Sequence, residues 1–326
     1  MQNSLKTLSK RAGLVGVSIA ILALLAVVVV ACGMAGEVGD GGTVSTTESP
    51  QPTEPPAETT TTTGSDTTDS TVAPKPTTTT VTSEPVTQDT MTVRVYFSSN
   101  EQIAAATRVI PKTQQVGAAA MRALLEGPTQ AEEDGGMVTC IPEGTKFLGL
   151  NVVDGVATVD LSLEYGSGGG TLSMLTRLAQ VVFTLTQFPS VEGVNFKLDG
   201  DSIDVLGGEG IIIDHPMSRE DYEDLSPAIL VESPTVGATV GSPLRITGTA
   251  NVFEAVFRVN IVNWDGLIIA DKVVMASSGT GTRGTFDVTV PFEVDRAGLG
   301  ALIVFAESPK DGSQINVVEI PLQLKK

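Results

Sequence analysis

The chain has 326 residues, with 38 Asp plus Glu against 20 Lys plus Arg and one His, a formal charge of −18. That acidity argues against nucleic-acid binding, which needs a basic footprint, and two Cys with one His argue against a disulfide framework, a His-rich zinc site or a His-based triad. Apolar residues at 41% suffice for a core, but aromatics at 4% are sparse for one uniform globular protein, so part of the chain is expected to lie outside any core.

Lys6, Lys10 and Arg11 precede an apolar run from Ala12 to Ala31 that only Gly13, Gly16 and Ser18 interrupt. This is the pattern of an export signal. A run of about 20 such residues can also span a bilayer as a helix. The junction Val29-Val30-Ala31-Cys32-Gly33 resembles a bacterial lipobox, with Val29 where Leu is usual. The resemblance implies a diacylglyceryl group on Cys32 and cleavage before it, so that residues 1–31 are a lipoprotein signal peptide. Two acyl chains give stable anchoring where one does not. The alternative is that Cys32 ends an uncleaved transmembrane helix. Either way, the remainder is expected on the outer face of the cytoplasmic membrane.

Residues 32–90 read as a disordered linker. Within residues 43–89 there are 18 Thr and 7 Pro, and no aromatic precedes Tyr96. Such a composition cannot bury enough apolar surface to offset its chain entropy. Thr-rich blocks beside prolines also occur in O-glycosylated stalks; an unmodified spacer reads the same way. A flexible coil of this length averages roughly 40 Å end to end and a polyproline-like one about 145 Å.

Residues 91–225 alternate strands and helices. Val93, Val95 and Phe97 alternate with polar neighbours as in a half-buried strand. Val116, Ala119, Ala120, Ala123 and Leu124 form one helical face, ended by Gly127-Pro128. Leu148, Leu150 and Val152 face Ala157, Val159 and Leu161 across Asp154-Gly155, a hairpin turn. After the loop Gly166–Gly170, a second helix puts Leu172, Leu175, Leu178, Ala179, Val182 and Phe183 on one face. Phe196 and Leu198 then turn at Asp199-Gly200-Asp201 toward Ile203 and Val205, and Ile211 to Ile213 close the domain. Helices alternating with hairpins predict an α+β fold, a mixed sheet covered by two helices.

The segments Leu124-Leu125-Glu126-Gly127-Pro128, Ile141-Pro142-Glu143-Gly144-Thr145 and Asp154-Gly155-Val156-Ala157-Thr158-Val159-Asp160-Leu161 resemble the GerMN domain of sporulation and spore germination proteins. Ala179 to Pro189 and Gly207 to Gly210 extend the likeness over nearly the whole domain. The resemblance implies a small extracytoplasmic module that helps assemble envelope machinery, with relatives in lipoproteins of actinobacteria. It supplies no catalytic residues.

Residues 226–326 show seven short apolar stretches, at 229–231, 244–247, 255–262, 267–274, 285–292, 302–306 and 315–324, separated by turn signals such as Asp265-Gly266 and Asp311-Gly312. Seven strands in about 100 residues predict an immunoglobulin-like β-sandwich. Ser242 to Gly248, Phe305 to Ser313 and Asn316 to Leu322 resemble the immunoglobulin-like domain of bacterial spore germination proteins.

Each hint of chemistry has a plainer account. Gly166–Gly170 precedes a helix, as phosphate-binding loops do, but lacks the Gly-Lys-Ser/Thr ending and reads as a connection. Asp214-His215 reads as part of a turn, and Ser218 with Asp221 as a helix cap. Asp154, Asp160, Glu164, Asp199, Asp201 and Asp204 gather at hairpins, where glycosidase work or Ca²⁺ binding is the sharper reading and solvated turns the plainer one. Cys140, alternating with Val138, is expected in the core. Trp264, beside a turn, fits either an exposed contact or rim packing.

Taken together, the sequence predicts a lipid-anchored, non-enzymatic envelope protein that serves as a protein–protein assembly module. Its expected contacts are the membrane through Cys32 and an envelope protein, with no nucleic acid, cofactor or metal. The alternatives are a module binding peptidoglycan or another wall polysaccharide, and a wall hydrolase using the hairpin carboxylates.

Overall fold

The computed structural model describes residues 89–208 and 210–326. The signal segment, Cys32 and almost all of the linker lie outside them. Among the described residues, no helix is long and apolar enough to cross a membrane.

Strands β1 (Thr90–Ser99) and β2 (Gln102–Pro111) form a ten-residue antiparallel hairpin. Its turn is Asn100-Glu101, both at positive φ, a left-handed pair of the kind that usually recruits glycine. Helix α1 (Val116–Leu125) and the short α2 (Gln130–Asp134) follow. Thr129 and Glu132 form a reciprocal capping box on α2, and Arg108 of β2 grips the Glu132 carboxylate with two 2.7 Å bonds. Strand β3 (Met137–Val138) adds to β1. A second sheet holds β4 (Phe147–Val153), β5 (Val156–Leu161), β6 (Gly193–Leu198) and β7 (Asp201–Ser202) in that order. The two predicted hairpins are both present, at Asp154-Gly155 and Asp199-Gly200, and β5 pairs in parallel with β6 across helix α3 (Thr171–Leu185). Val205 does not stay with this sheet: β8 (Val205–Leu206) pairs with β9 (Ile211–Ile212).

The fold is α+β, with its strands divided between two main sheets. Helix α3 is buried on every side beyond its first turn, rather than on one face, and Leu172 of the expected face is exposed. Its buried polar residues explain this. Gln187, just past its end, accepts from Arg94 N at 2.8 Å and donates to Arg94 O at 2.6 Å. Thr184 Oγ1 accepts from Tyr96 N, and Gln180 Nε2 donates to Tyr96 O. The helix thus satisfies the edge of β1 that no strand covers, as buried backbone groups require.

The remaining strands form the expected sandwich. One sheet is β10 (Ile229–Ser233), β12 (Leu244–Ala250) and β15 (Gly284–Val290). The other is β11 (Thr239–Val240), β17 (Gln314–Leu324), β16 (Gly298–Glu307), β13 (Val256–Asn263) and β14 (Ile268–Met275). All seven predicted stretches are strands; only the two-residue β11 is additional. Gly248 lies against the Leu230 carbonyl, so no side chain fits between β10 and β12 there. Strand β10 serves two cores: Ile229 and Val231 enter the sandwich interior, while Leu230 joins the core of the α+β domain.

Candidate functional site: an open strand edge

A sheet edge carries unpaired backbone donors and acceptors, and proteins cover, shorten or charge such edges unless a partner is meant to bind there. In this protein β3, β7 and β11 are edge strands of only two residues each. The edges of β2 and β10 pack against one another, with Leu230 among the core residues around Ile103 and Thr107 hydrogen-bonded to Thr235. β14 and β15 are tied by Lys272 Nζ, which donates to the Thr289 carbonyl at 2.9 Å. β4 is long, and although α1 packs beside it, among the described residues no strand pairs with its outer side and no charge guards it. Its seven residues, Phe-Leu-Gly-Leu-Asn-Val-Val, include no charge and no Pro, and Leu148, Val152 and Val153 are 49%, 42% and 56% exposed.

Beside β4 runs an apolar groove of about 550 Å³, floored by Leu150, Leu185 and Phe188 and walled by Val116 and Gly117 of α1. Gly117 sets its depth, because a Cβ there would meet Leu150 Cδ2 at 2.8 Å. Arg122 is the one charged residue of the lining, and its guanidinium lies 5.0 Å from the Phe147 ring centroid. An uncharged edge next to an apolar trough is the arrangement that accepts an extended segment: main-chain bonds hold it and alternate side chains enter the trough. The hairpin itself is legible in the sequence, but Leu148 and Val152 are outward rather than core residues. One trace of this is present: β4 is apolar on both faces, a pattern suited to a strand covered on both sides.

The residues singled out for chemistry are placed differently. The loop 166–170 turns its carbonyls inward, and Arg177 donates to the oxygens of Tyr165, Ser167 and Gly168 at 2.7, 2.8 and 2.9 Å. It cradles a buried cation, the opposite of a phosphate site. Burial lowers the Arg177 pKa. His215 is not merely a turn residue: its Nδ1 lies 3.1 Å from Asp214 Oδ1 and its Nε2 3.1 Å from Asp221 Oδ1. The hydrogen bond to Asp214, then that to Asp221, raises its pKa. Asp221 also accepts from Ser218 N and Oγ, so the two expected residues pair at the entry to a 3-10 segment, Glu220–Leu225, whose N-cap position is Arg219 and has no side-chain cap of its own.

Of the hairpin carboxylates, Asp160 is brought onto the Asp199-Gly200-Asp201 turn. Asp160 accepts from Gly200 N at 3.0 Å and so steadies a turn. Among the described residues, no group of three or more His, Cys, Asp or Glu side chains is arranged to hold a metal ion. Cys140 is half-buried rather than in the core, because its backbone N–H is drawn to Gln180 Oε1 at 2.8 Å and Val138 beside it faces outward. Trp264 is half-exposed, with Arg296 stacked 3.7 Å from its ring centroid.

A charged cluster joins the two domains. Glu232 of β10 accepts from the Tyr96 hydroxyl at 2.5 Å and from Arg219 Nη1 at 2.8 Å. Burial pushes the Tyr96 pKa up to about 12. Burial also acts to raise the Glu232 pKa, but Arg219 and then Arg94 outweigh it and hold the carboxyl below its ordinary value.

Residues 94–204 match the family Germane, described as sporulation and spore germination, and residues 228–313 match Gmad2, the immunoglobulin-like domain of bacterial spore germination. No curated protein matches. Among solved structures, a lipoprotein candidate of Clostridium perfringens is 27% identical over 42% of this chain and 93% of its own, at a TM-score of 0.31. The tandem GerMN domains of the Bacillus subtilis sporulation protein GerM are 15% identical over 72% of this chain and 61% of theirs, at 0.36. The first GerMN domain of that protein is 23% identical over 40% of this chain and 99% of its own, at 0.35.

Proposed function

We propose that this chain, which carries a Germane domain followed by a Gmad2 domain, is a lipid-anchored protein of the outer face of the cytoplasmic membrane that works by docking a partner protein along β4. The descriptions of both families support a role related to spore germination. The observation that carries the docking role is the uncovered, uncharged edge of β4 beside its groove. Its occupant is an extended segment of an envelope protein with alternating apolar residues and basic flanks. The basic flanks follow from charge, since residues 91–225 hold 8 bases against 19 acids.

The reading is non-enzymatic. Both nitrogens of the one histidine are engaged by carboxylates, and Asp160 accepts from a turn amide. The anchor rests on Cys32 at the lipobox-like junction; a Cys32→Ala variant that stays membrane-bound with unchanged mass rules it out. Photo-crosslinkers placed in cells at Leu148 and Val152 should give adducts with a protein, and one at the exposed Ile212 should not. Adducts should disappear when the second of the two positions is changed to Lys. Absence of protein adducts at both positions, with retention of the chain by protein-free wall sacculi, would replace this reading by wall-polysaccharide binding.

A further inference from the structure

A second site is carried by a different part of the molecule, the cleft where the outer face of β12 and β15 meets the α+β domain. We propose that this cleft binds an oxyanion, a carboxylate or phosphate group, through Arg94. Gln187 clamps the backbone of Arg94 at both its N–H and its carbonyl, so the base of the side chain is fixed. Its guanidinium is left without a hydrogen bond: Nε is shielded from solvent with no partner, and the nearest carboxylate oxygen, Glu232 Oε2, lies 3.8 Å from Nη2. A buried guanidinium N–H without an acceptor is costly and uncommon in folded proteins.

Asp287 takes both Nε and Nη2 of Arg245 at 2.8 and 2.6 Å, and Glu232 Oε1 takes Tyr96 and Arg219, so Arg94 is left with only the long 3.8 Å ion pair to Glu232 Oε2. Three arginines against two carboxylates leave the cleft locally positive in a chain of −18. The space is about 700 Å³, ample for a carboxylate or phosphate with part of the molecule that bears it, and Thr247 adds a hydroxyl to the wall. Arginine suits both groups because its planar fork matches two of their oxygens at once. The side chain is about one-third exposed although Nε is shielded, so an entering anion meets the exposed part of the guanidinium without opening the domain junction.

The test is the melting temperature of the full chain in detergent with inorganic phosphate, with acetate, and with sodium chloride at equal ionic strength. The bound anion should raise the melting temperature by about 3 °C at roughly tenfold above its dissociation constant. Phosphate and similar salts also stabilise proteins without binding, so the readout is the part of the rise lost in Arg94→Gln. Arg245→Gln should retain the rise, because Asp287 already occupies that guanidinium. Arg94→Lys, which keeps the charge without the fork, should show a smaller rise and covers the case in which Arg94→Gln folds poorly. A rise with phosphate alone assigns a phosphate-bearing ligand, and one with acetate alone a carboxylate. A rise that is no greater than with chloride, or that survives undiminished in both Arg94 variants, overturns the site.

Discussion

The two domains treat their long edge strands in opposite ways. In the sandwich, β14 carries Asp271 and Lys272 side by side, its ladder with β13 is interrupted by a bulge, and its two charges are tied to Arg258 and to the Thr289 carbonyl. In the α+β domain, β4 carries no charge; its ladder with β5 also has a register shift, and both strands expose apolar side chains, Leu148, Val152 and Val153 on β4 and Ile268, Val273 and Met275 on β14, so charge is what separates the two edges. Both belong to antiparallel hairpins of similar length, so hairpin geometry alone does not explain the contrast. A guarded edge keeps a sheet from pairing with strangers, and an open one is tolerated where pairing is the purpose. The sandwich is joined to the α+β domain through β10, whose alternate residues belong to the two cores.

The largest effect is expected where that fusion is tested. Arg177→Ala removes the guanidinium from the carbonyls of Tyr165, Ser167 and Gly168, leaving buried acceptors unpaired inside the domain that bears the open edge. The loss should be about 3 kcal/mol, read from the denaturant midpoint, since each orphaned buried group costs roughly 1–3 kcal/mol and water can reach the outer part of the loop. Because β10 belongs to both cores, one cooperative transition should shift as a whole. A sandwich transition that stays in place while the α+β domain melts earlier would separate the two domains energetically and undo the shared-strand account.

The same contrast governs what the sequence disclosed. The sandwich strands are legible because each buries one face between turn residues, and the alternation survives in the residues themselves. β2 is not, since Ala104-Ala105-Ala106 erases the alternation and its turn, Asn100-Glu101, lacks the glycine that marks such hairpins. The buried Gln180 and Thr184 look like faults on an apolar helix until Tyr96, more than eighty residues earlier, is seen to be their partner. The edge status of β4 depends on which strands pair at a distance. The parallel register of β5 with β6 settles that, and local sequence does not encode it.

A smaller effect comes from removing the guard. Replacing Asp271 and Lys272 together by Thr leaves β14 with strong strand formers and no charge. Both side chains are exposed, so the monomer should change by no more than about 0.5 kcal/mol. The consequence should appear as concentration-dependent association in sedimentation velocity, absent from the wild type at the same concentrations. Val152→Lys on β4 should leave the sedimentation of the purified chain unchanged, since that edge is proposed to await a different protein. Association of the wild type that Val152→Lys abolishes would show that β4 pairs with a second copy instead.

The smallest effect concerns the connector that leads from the open-edged domain to the guarded one. His215 is held between Asp214 and Asp221, and Asp221 in turn accepts from Ser218 N and Oγ at the start of the 3-10 segment from which Glu223 accepts from Arg283 of the sandwich. The hydrogen bond to Asp214 first, then that to Asp221, favours the imidazolium and raises its pKa in the folded chain. The folded state therefore holds this proton more tightly than the unfolded state, where imidazole titrates at about 6.5. Stability from the contact is complete below that ordinary value and is lost as pH climbs through the raised one. Melting temperatures of the wild type and His215→Gln should accordingly differ most at the acidic end of a pH 5 to 9 series and converge toward its alkaline end. The difference should stay modest because the side chain is exposed to solvent. A gap that widens with rising pH would mean that the neutral ring makes the stabilising contact, and the connector would then owe its geometry to the Ser218 contact with Asp221 alone.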